Sequence, residues 1–202
     1  MIEDILPIYR RATEAELKIC PGDWKYGSFF KTLVTDCGLY LPWAARKFHE
    51  AGGKIINKKV NSFSELQGSF DVIVNCSGLE AKTLCNDRKL VPIRGQVLKV
   101  NAPWIKMAYY GDYDTYIVPS FNGSVTLGGC RNFDSYDTKP NKFDFEAIKT
   151  RCESLVPSLK TAKVLEVKVG LRPHRDPVRV ECEFVDTPMG IMKIVHNYGH
   201  GE

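Results

Sequence analysis

The sequence contains no G-x-G-x-x-G, the glycine run at which a helix N-terminus meets the pyrophosphate of a dinucleotide. Its cysteines, at positions 20, 37, 76, 85, 130, 152 and 182, are odd in number and include no C-x-x-C pair. Most stand among apolar neighbours, as in Val74-Asn75-Cys76 and Thr83-Leu84-Cys85. Small buried hydrophobes in a reducing compartment are therefore expected, rather than disulfides or metal ligands. The four histidines, at 49, 174, 196 and 200, form no metal-ligand spacing either. No apolar run reaches the roughly 20 residues needed to cross a bilayer. The opening Met1-Ile2-Glu3-Asp4 is unlike a signal peptide, so an intracellular chain with no membrane partner is expected. Lys and Arg total 28 against 24 Asp and Glu, a net charge of +4 scattered along the chain. A nucleic-acid binder concentrates its basic residues on one face, so no nucleic-acid partner is expected. Repeats and low-complexity linkers are lacking too.

What is present is ordinary for a globular protein: 44% hydrophobic and 26% charged residues over 202 positions. That length buries a core for one large domain or two small ones. Residues 1–33 read as irregular, with turn residues at Pro7, Pro21-Gly22-Asp23 and Gly27. Tyr40, Leu41, Trp43, Ala44, Phe48 and Ala51 recur at helical spacing, with Pro42 near the first turn and Gly52-Gly53 as the stop. Lys54 to Val60 reads as a short strand, and Ser62 to Leu66 as one turn capped by Ser62 with Glu65 behind it. Asp71-Val72-Ile73-Val74-Asn75-Cys76 suits a buried parallel strand that ends at Ser77-Gly78 and leads into a helical stretch from Leu79 to Leu84. The pattern then turns β-rich at 95–100, 116–119, 125–129, 164–171 and 178–184, with a hairpin signal at Asn122-Gly123. A helix over Asp144–Leu155 interrupts it, and Met189 to Val195 is a last strand. The fold class is α/β (α+β): part of an α/β sheet, a mostly antiparallel region and a return strand. The residues alone leave function open.

A set of short motifs, in order along the chain, narrows it. They are Tyr40-Leu41-Pro42-Trp43, Val72-Ile73-Val74-Asn75-Cys76-Ser77-Gly78, Arg94-Gly95-Gln96-Val97, Ala102-Pro103-Trp104, Thr115-Tyr116-Ile117-Val118-Pro119, Val125-Thr126-Leu127-Gly128-Gly129, Gly170-Leu171-Arg172-Pro173 and Tyr198-Gly199-His200-Gly201. Each is weak alone; the ordered set resembles the D-amino-acid oxidase family, most closely its D-aspartate oxidase branch. The resemblance implies a partial FAD-binding, Rossmann-like domain over 34–92 and 175–202. It also implies a mostly antiparallel substrate domain over 1–33 and 93–174. The implied reaction is FAD-dependent oxidative deamination of a D-amino acid, D-aspartate or D-glutamate, to a 2-oxo acid, ammonia and hydrogen peroxide. The implied partners are that small-molecule substrate and O2, with homo-oligomerisation left open. Family members are peroxisomal, although His200-Gly201-Glu202 is no Ser-Lys-Leu-type signal; otherwise a cytoplasmic location is expected. The family's Gly-rich phosphate loop lies upstream of the matching region and its last helix beyond Gly201, so a truncated form is expected.

In such an enzyme the cofactor carries the hard chemistry and the protein positions the substrate, so no catalytic acid–base pair is sought. Arg172 resembles the family's anchor for the substrate α-carboxylate, a planar fork that grips both oxygens. Tyr116 resembles the phenol that bonds the same carboxylate. Arg131 resembles the second cation of acidic-substrate members, which a buried second carboxylate requires. Another arginine of those members, upstream of the Tyr116 strand, is replaced here, with Tyr109 at the matching place, which counts against acidic substrates. Tyr113 is a candidate lid residue. For the flavin, Lys59 and Val60 match a strand end near the adenine, Ser77 and Gly78 the turn after the next strand, and Gly201 a glycine-rich loop near the ring. Without the resemblance the bland readings are a surface arginine, a cross-strand aromatic, a solvated turn arginine and ordinary glycine turns. Two other functions stay open: an oxidase of neutral D-amino acids, and a non-catalytic fragment that cannot hold FAD.

Overall fold

The computed structural model describes residues 6–201. In chain order the elements are β1 (Ile8–Arg11), α1 (Glu14–Leu17), β2 (Ser28–Lys31), α2 (Cys37–Glu50), β3 (Ile73–Asn75), α3 (Ala81–Leu84), β4 (Val91–Asn101), β5 (Tyr109–Gly111), β6 (Thr115–Pro119), β7 (Ser124–Gly128), β8 (Asn132–Phe133), α4 (Lys142–Leu155), β9 (Lys163–Thr187) and β10 (Gly190–His200). Two compact units form. The first combines the described part of Met1–Ile55 with Leu98–Gly128 and Phe145–Glu166. The second combines Ile56–Val97, Gly129–Asp144 and the described part of Val167–Glu202. The boundaries expected at 33, 92 and 174 concern which ligand each segment serves, a separate question from compactness.

In the first unit, the end of β4, then β7, β6 and β5, follow one another as antiparallel neighbours. Leu98 faces Leu127, and Leu127 faces Ile117, so one face of this sheet is continuously apolar. All three are buried, as are Val100, Val125 and the α4 residues Ile148 and Cys152. α4 lies on that face: Arg151 donates to the Thr115 hydroxyl at 3.2 Å, and Leu155 stands beside Gly111. Each fully buried aliphatic side chain contributes roughly 1.5–3 kcal/mol. Burial pushes the Cys152 thiol up to about 11, which makes it an inert filler. α2 opens at Asp36, whose carboxylate accepts from the Gly38 amide at 2.9 Å. It closes where Gly52 turns left-handed (φ +86) and the Gly53 amide returns to the Phe48 carbonyl at 2.9 Å. Its expected stop signal therefore works as read, whereas Pro42 falls in the second turn because the helix begins at Cys37.

In the second unit, β10 lies between β3 and β9, parallel to the first and antiparallel to the second. The parallel pairing of Ile73-Val74-Asn75 with Ile194-Val195-His196 is the α/β element expected from the apolar run, but only its Ile73 and Asn75 face is buried, whereas Val72 and Val74 are exposed. Ala81, Leu90 and Tyr198 form a buried cluster beside it. The start of β4 pairs with β8.

Four local expectations need correction. Residues 1–33 are not wholly irregular: β1 and β2 pair antiparallel, and Thr13 caps α1 in a capping box with Glu16. Lys54–Val60 forms no strand. Its Asn57-Lys58-Lys59 centre offers no apolar face, and Ile55 and Ile56 are exposed. The segments 164–171 and 178–184 are one strand, β9, which continues through Pro173 and Pro177. The cysteines are free, but Cys37, Cys76 and Cys182 are exposed rather than buried.

Candidate functional site

Arg172 sits midway along β9, half-buried. Its guanidinium lies over Gly95 of β4: a β-carbon there would come 2.6 Å from the Arg172 Cζ. Only a glycine leaves that space. The Arg172 Nη1 donates to the Cys130 carbonyl at 3.3 Å. Among the described residues this is its one hydrogen bond, and no carboxylate pairs with it. The bland reading, an arginine occupied by a neighbouring acid, therefore does not describe it.

Arg131 is the residue after Cys130 and is exposed. The segment carrying Arg131 is fastened from β4. Arg94, with 4% of its side chain exposed, pairs with Asp144 at 2.7 Å. It also donates to the Asn132 side chain, the Gln96 side chain and the carbonyls of Asp137 and Lys139 at 2.8–3.2 Å. Gln96 bonds the Asn141 backbone through both ends of its amide, at 2.7 and 2.9 Å. Its own N–H meets the Cys130 sulfur. Burial pushes the Cys130 thiol up. A buried guanidinium with this many acceptors holds the 130–144 stretch to the sheet.

Tyr116 belongs to the first unit. Its ring covers Gly128, the residue directly opposite it on β7, in the space a β-carbon would need. Tyr110, opposite Tyr116 on β5, shares that face, with ring centroids 6.4 Å apart. Tyr109 does not: it stands opposite Ile117 and so faces the α4 side. Strand pairing thus puts Tyr110, and not Tyr109, beside Tyr116. Burial pushes the Tyr109 phenol up. Tyr113 is exposed, in a turn with positive φ at Tyr113 and Asp114.

The expected flavin residues fall in the second unit. Ser77 and Gly78 follow β3, and Gly78 takes a left-handed conformation (φ +58). A β-carbon at Gly78 would have only Pro173 Cγ within reach, at 4.0 Å. Gly201 approaches the same proline from another side: its amide donates to the Pro173 carbonyl at 2.7 Å, and a β-carbon would collide with that backbone. Pro173, next to Arg172, therefore meets both the Ser77-Gly78 turn and Gly201, just past the end of β10. Lys59 and Val60 lie in irregular chain, Lys59 exposed and Val60 half-buried, with no strand end beneath them.

The glycines at 95 and 128 were within motifs, yet nothing assigned them work. A glycine inside an apolar strand pattern is the signal for such a close approach. Arg94 gave no signal, because all but one of its partners, Asp144, Asn132 and the carbonyls of Asp137 and Lys139, lie far along the chain.

Comparison with known proteins bears on the family and the fold. A family model described as "FAD dependent oxidoreductase" matches residues 5–202. Human D-aspartate oxidase is 40% identical over 199 residues, covering 98% of this chain and 58% of the human protein. A D-amino acid oxidase of Dugesia ryukyuensis is 37% identical over 205 residues, covering the whole chain and 61% of that protein. The chain thus spans about three-fifths of the length of these relatives. Iminodiacetate oxidase from Chelativorans sp. BNC1 superposes over 99% of this chain and 60% of its own with a TM-score of 0.75 at 18% identity, a likeness of fold. The mixed α/β fold with its multistrand sheet is the fold of these FAD-dependent oxidoreductases. The open, left-handed Gly78 turn after a parallel strand fits a cofactor that needs close backbone approach. By match over residues 5–202 and by fold, the chain belongs to the FAD-dependent oxidoreductase family, whose cofactor is FAD.

Proposed function

We propose that this chain is the greater part of an FAD-dependent oxidase of acidic D-amino acids, with D-aspartate as the first substrate to test. The observation that carries the reading is Arg172: a half-buried guanidinium, placed by Gly95 and the Cys130 carbonyl, with no acidic partner among the described residues. A partly desolvated cation of this kind favours an anion, and its fork fixes a carboxylate in direction as well as distance. Arg131 stands one residue beyond the carbonyl that Arg172 holds. A substrate with two carboxylates calls for a second cation, because a second buried charge needs its own partner, and Arg131 is the residue proposed for it. Tyr116 adds a neutral donor, held over Gly128. Ser77, Gly78 and Gly201, with Lys59 and Val60 at the adenine end, are the residues proposed to hold FAD. FAD, when bound, supplies the acceptor for the α-hydrogen. The protein's task is then to hold the α-carbon in register.

One observation favours a second reading, an oxidase of neutral D-amino acids. Arg131 is exposed, and the residue beside Tyr116 is the apolar-bodied Tyr110.

The test is anaerobic reduction of the FAD-loaded, full-length gene product. Faster bleaching of the flavin absorbance with D-aspartate than with D-alanine, abolished in Arg172→Ala, is the expected result. Unchanged D-aspartate turnover by Arg172→Ala sinks the proposal, and a preference for D-alanine transfers it to the neutral reading.

A further inference from the structure

His196 is fully buried, on β10, and no role so far assigned uses it. Its connections follow from a donor that has no choice. The Ser77 backbone N–H donates to the Asn75 side chain at 3.2 Å, and the Ser77 hydroxyl donates to the same atom at 2.7 Å. Because a backbone N–H only donates, that atom must be the Asn75 oxygen. The amide nitrogen of Asn75 then points to His196 Nδ1 at 3.1 Å, with the Cys85 sulfur at 3.2 Å. His196 Nδ1 must therefore accept, which puts the imidazole proton on Nε2, where it is donated to Glu183 Oε2 at 2.8 Å. The ring is held edge-on by Phe63 and Tyr198, at centroid distances of 6.1 and 5.9 Å.

We infer that His196, acting through Asn75, is a positioning residue for the Ser77-Gly78 turn and so for FAD. The inference rests on the reading of that turn as a flavin contact. Every polar atom from Glu183 to the Ser77 amide has its direction set, so the turn is delivered in one conformation. Pre-ordering of this kind raises affinity by removing the cost of ordering on binding. Asn75, with 3% exposure, has no solvent to supply a substitute acceptor.

Two polar substitutions separate the ends of the relay. His196→Asn places an acceptor where Nδ1 stands and gives up Glu183. His196→Gln reaches toward Glu183 and leaves the Asn75 amide with the Cys85 sulfur as its remaining acceptor. Affinity of each full-length variant for FAD is read by the quenching of flavin fluorescence, with apoprotein thermal unfolding as the check on folding. His196→Gln is expected to raise the FAD dissociation constant about tenfold, as one lost buried hydrogen bond implies. His196→Asn is expected to stay within about threefold of the parent. Parent-like affinity in His196→Gln, or a weakening in His196→Asn as large as in His196→Gln, overturns the inference. Gly78→Asn serves as the control, since Asn tolerates left-handed backbone and its side chain fills the open side of the turn. Unchanged FAD affinity there removes the flavin-turn reading and this inference with it. Loss there combined with parent-like His196→Gln removes the inference alone.

Discussion

Gly95 and Arg172 share one volume: the guanidinium occupies the space a β-carbon on residue 95 would take. The two residues are far apart in sequence, and each is uninformative without the other. Gly95→Ala pushes aside the flexible end of a side chain rather than backbone, so the cost falls on placement and little on stability. We expect the KM for the D-amino acid to rise by about tenfold to a hundredfold, as a displacement near 1 Å brings. The thermal midpoint and FAD affinity should stay near the parent values. Steady-state kinetics beside thermal unfolding decide it: a KM unchanged by the methyl group removes Arg172 from the carboxylate site.

Arg131→Ala separates the two substrate readings. If the side chain meets the second carboxylate, kcat/KM for D-aspartate falls at least about a hundredfold more than for D-alanine, as loss of a charge-assisted contact implies. Equal losses on both substrates place Arg131 outside the side-chain pocket.

Much of the fold was legible, and the exceptions have physical causes. α2 and β3 carried strong periodic or continuous apolar signals, and both formed, α2 with its Gly52-Gly53 stop intact. β9 was read as two strands because Pro173 and Pro177 interrupt the pattern, while its pairing with β10 extends from His174 to Thr187. β1 and β2 are four residues each, too short to announce themselves. In the site, Arg172 was legible only through its motif. Its lack of an acidic neighbour, and the fastening of Arg131's segment by Arg94, depend on tertiary contacts that no local pattern encodes.

The Arg94–Asp144 pair should matter for stability rather than chemistry. Asp144→Ala leaves a nearly buried guanidinium short of its one charged partner, though Asn132, Gln96 and two carbonyls remain. Removing one partner of a fully buried pair costs 3–5 kcal/mol. Asp144 is 22% exposed, so a loss of about 2 kcal/mol is expected. Denaturant unfolding measures it, and a loss below about 0.5 kcal/mol shows that the fastening does not depend on the ion pair.

Asp87 supplies the pH dependence. Burial on its own would raise its carboxyl, but hydrogen bonds from the Tyr198 hydroxyl at 2.8 Å and the Arg175 Nε at 2.7 Å outweigh that, and the net shift is downward. A carboxylate lowered on folding stabilises the protein above the ordinary aspartate range, and the contribution disappears as pH falls through the folded value. Between about pH 5 and pH 2 the unfolding free energy should therefore drop as Asp87 takes up its proton. Asp87→Asn cannot titrate and should show a shallower slope over that window, with lower stability at neutral pH because the Arg175 guanidinium, 15% exposed at its side chain, loses its charged partner. Urea unfolding at a series of pH values compares the two slopes. Parallel curves for parent and variant would assign the acid sensitivity to other carboxylates and leave Asp87 as a neutral hydrogen-bond acceptor for Tyr198.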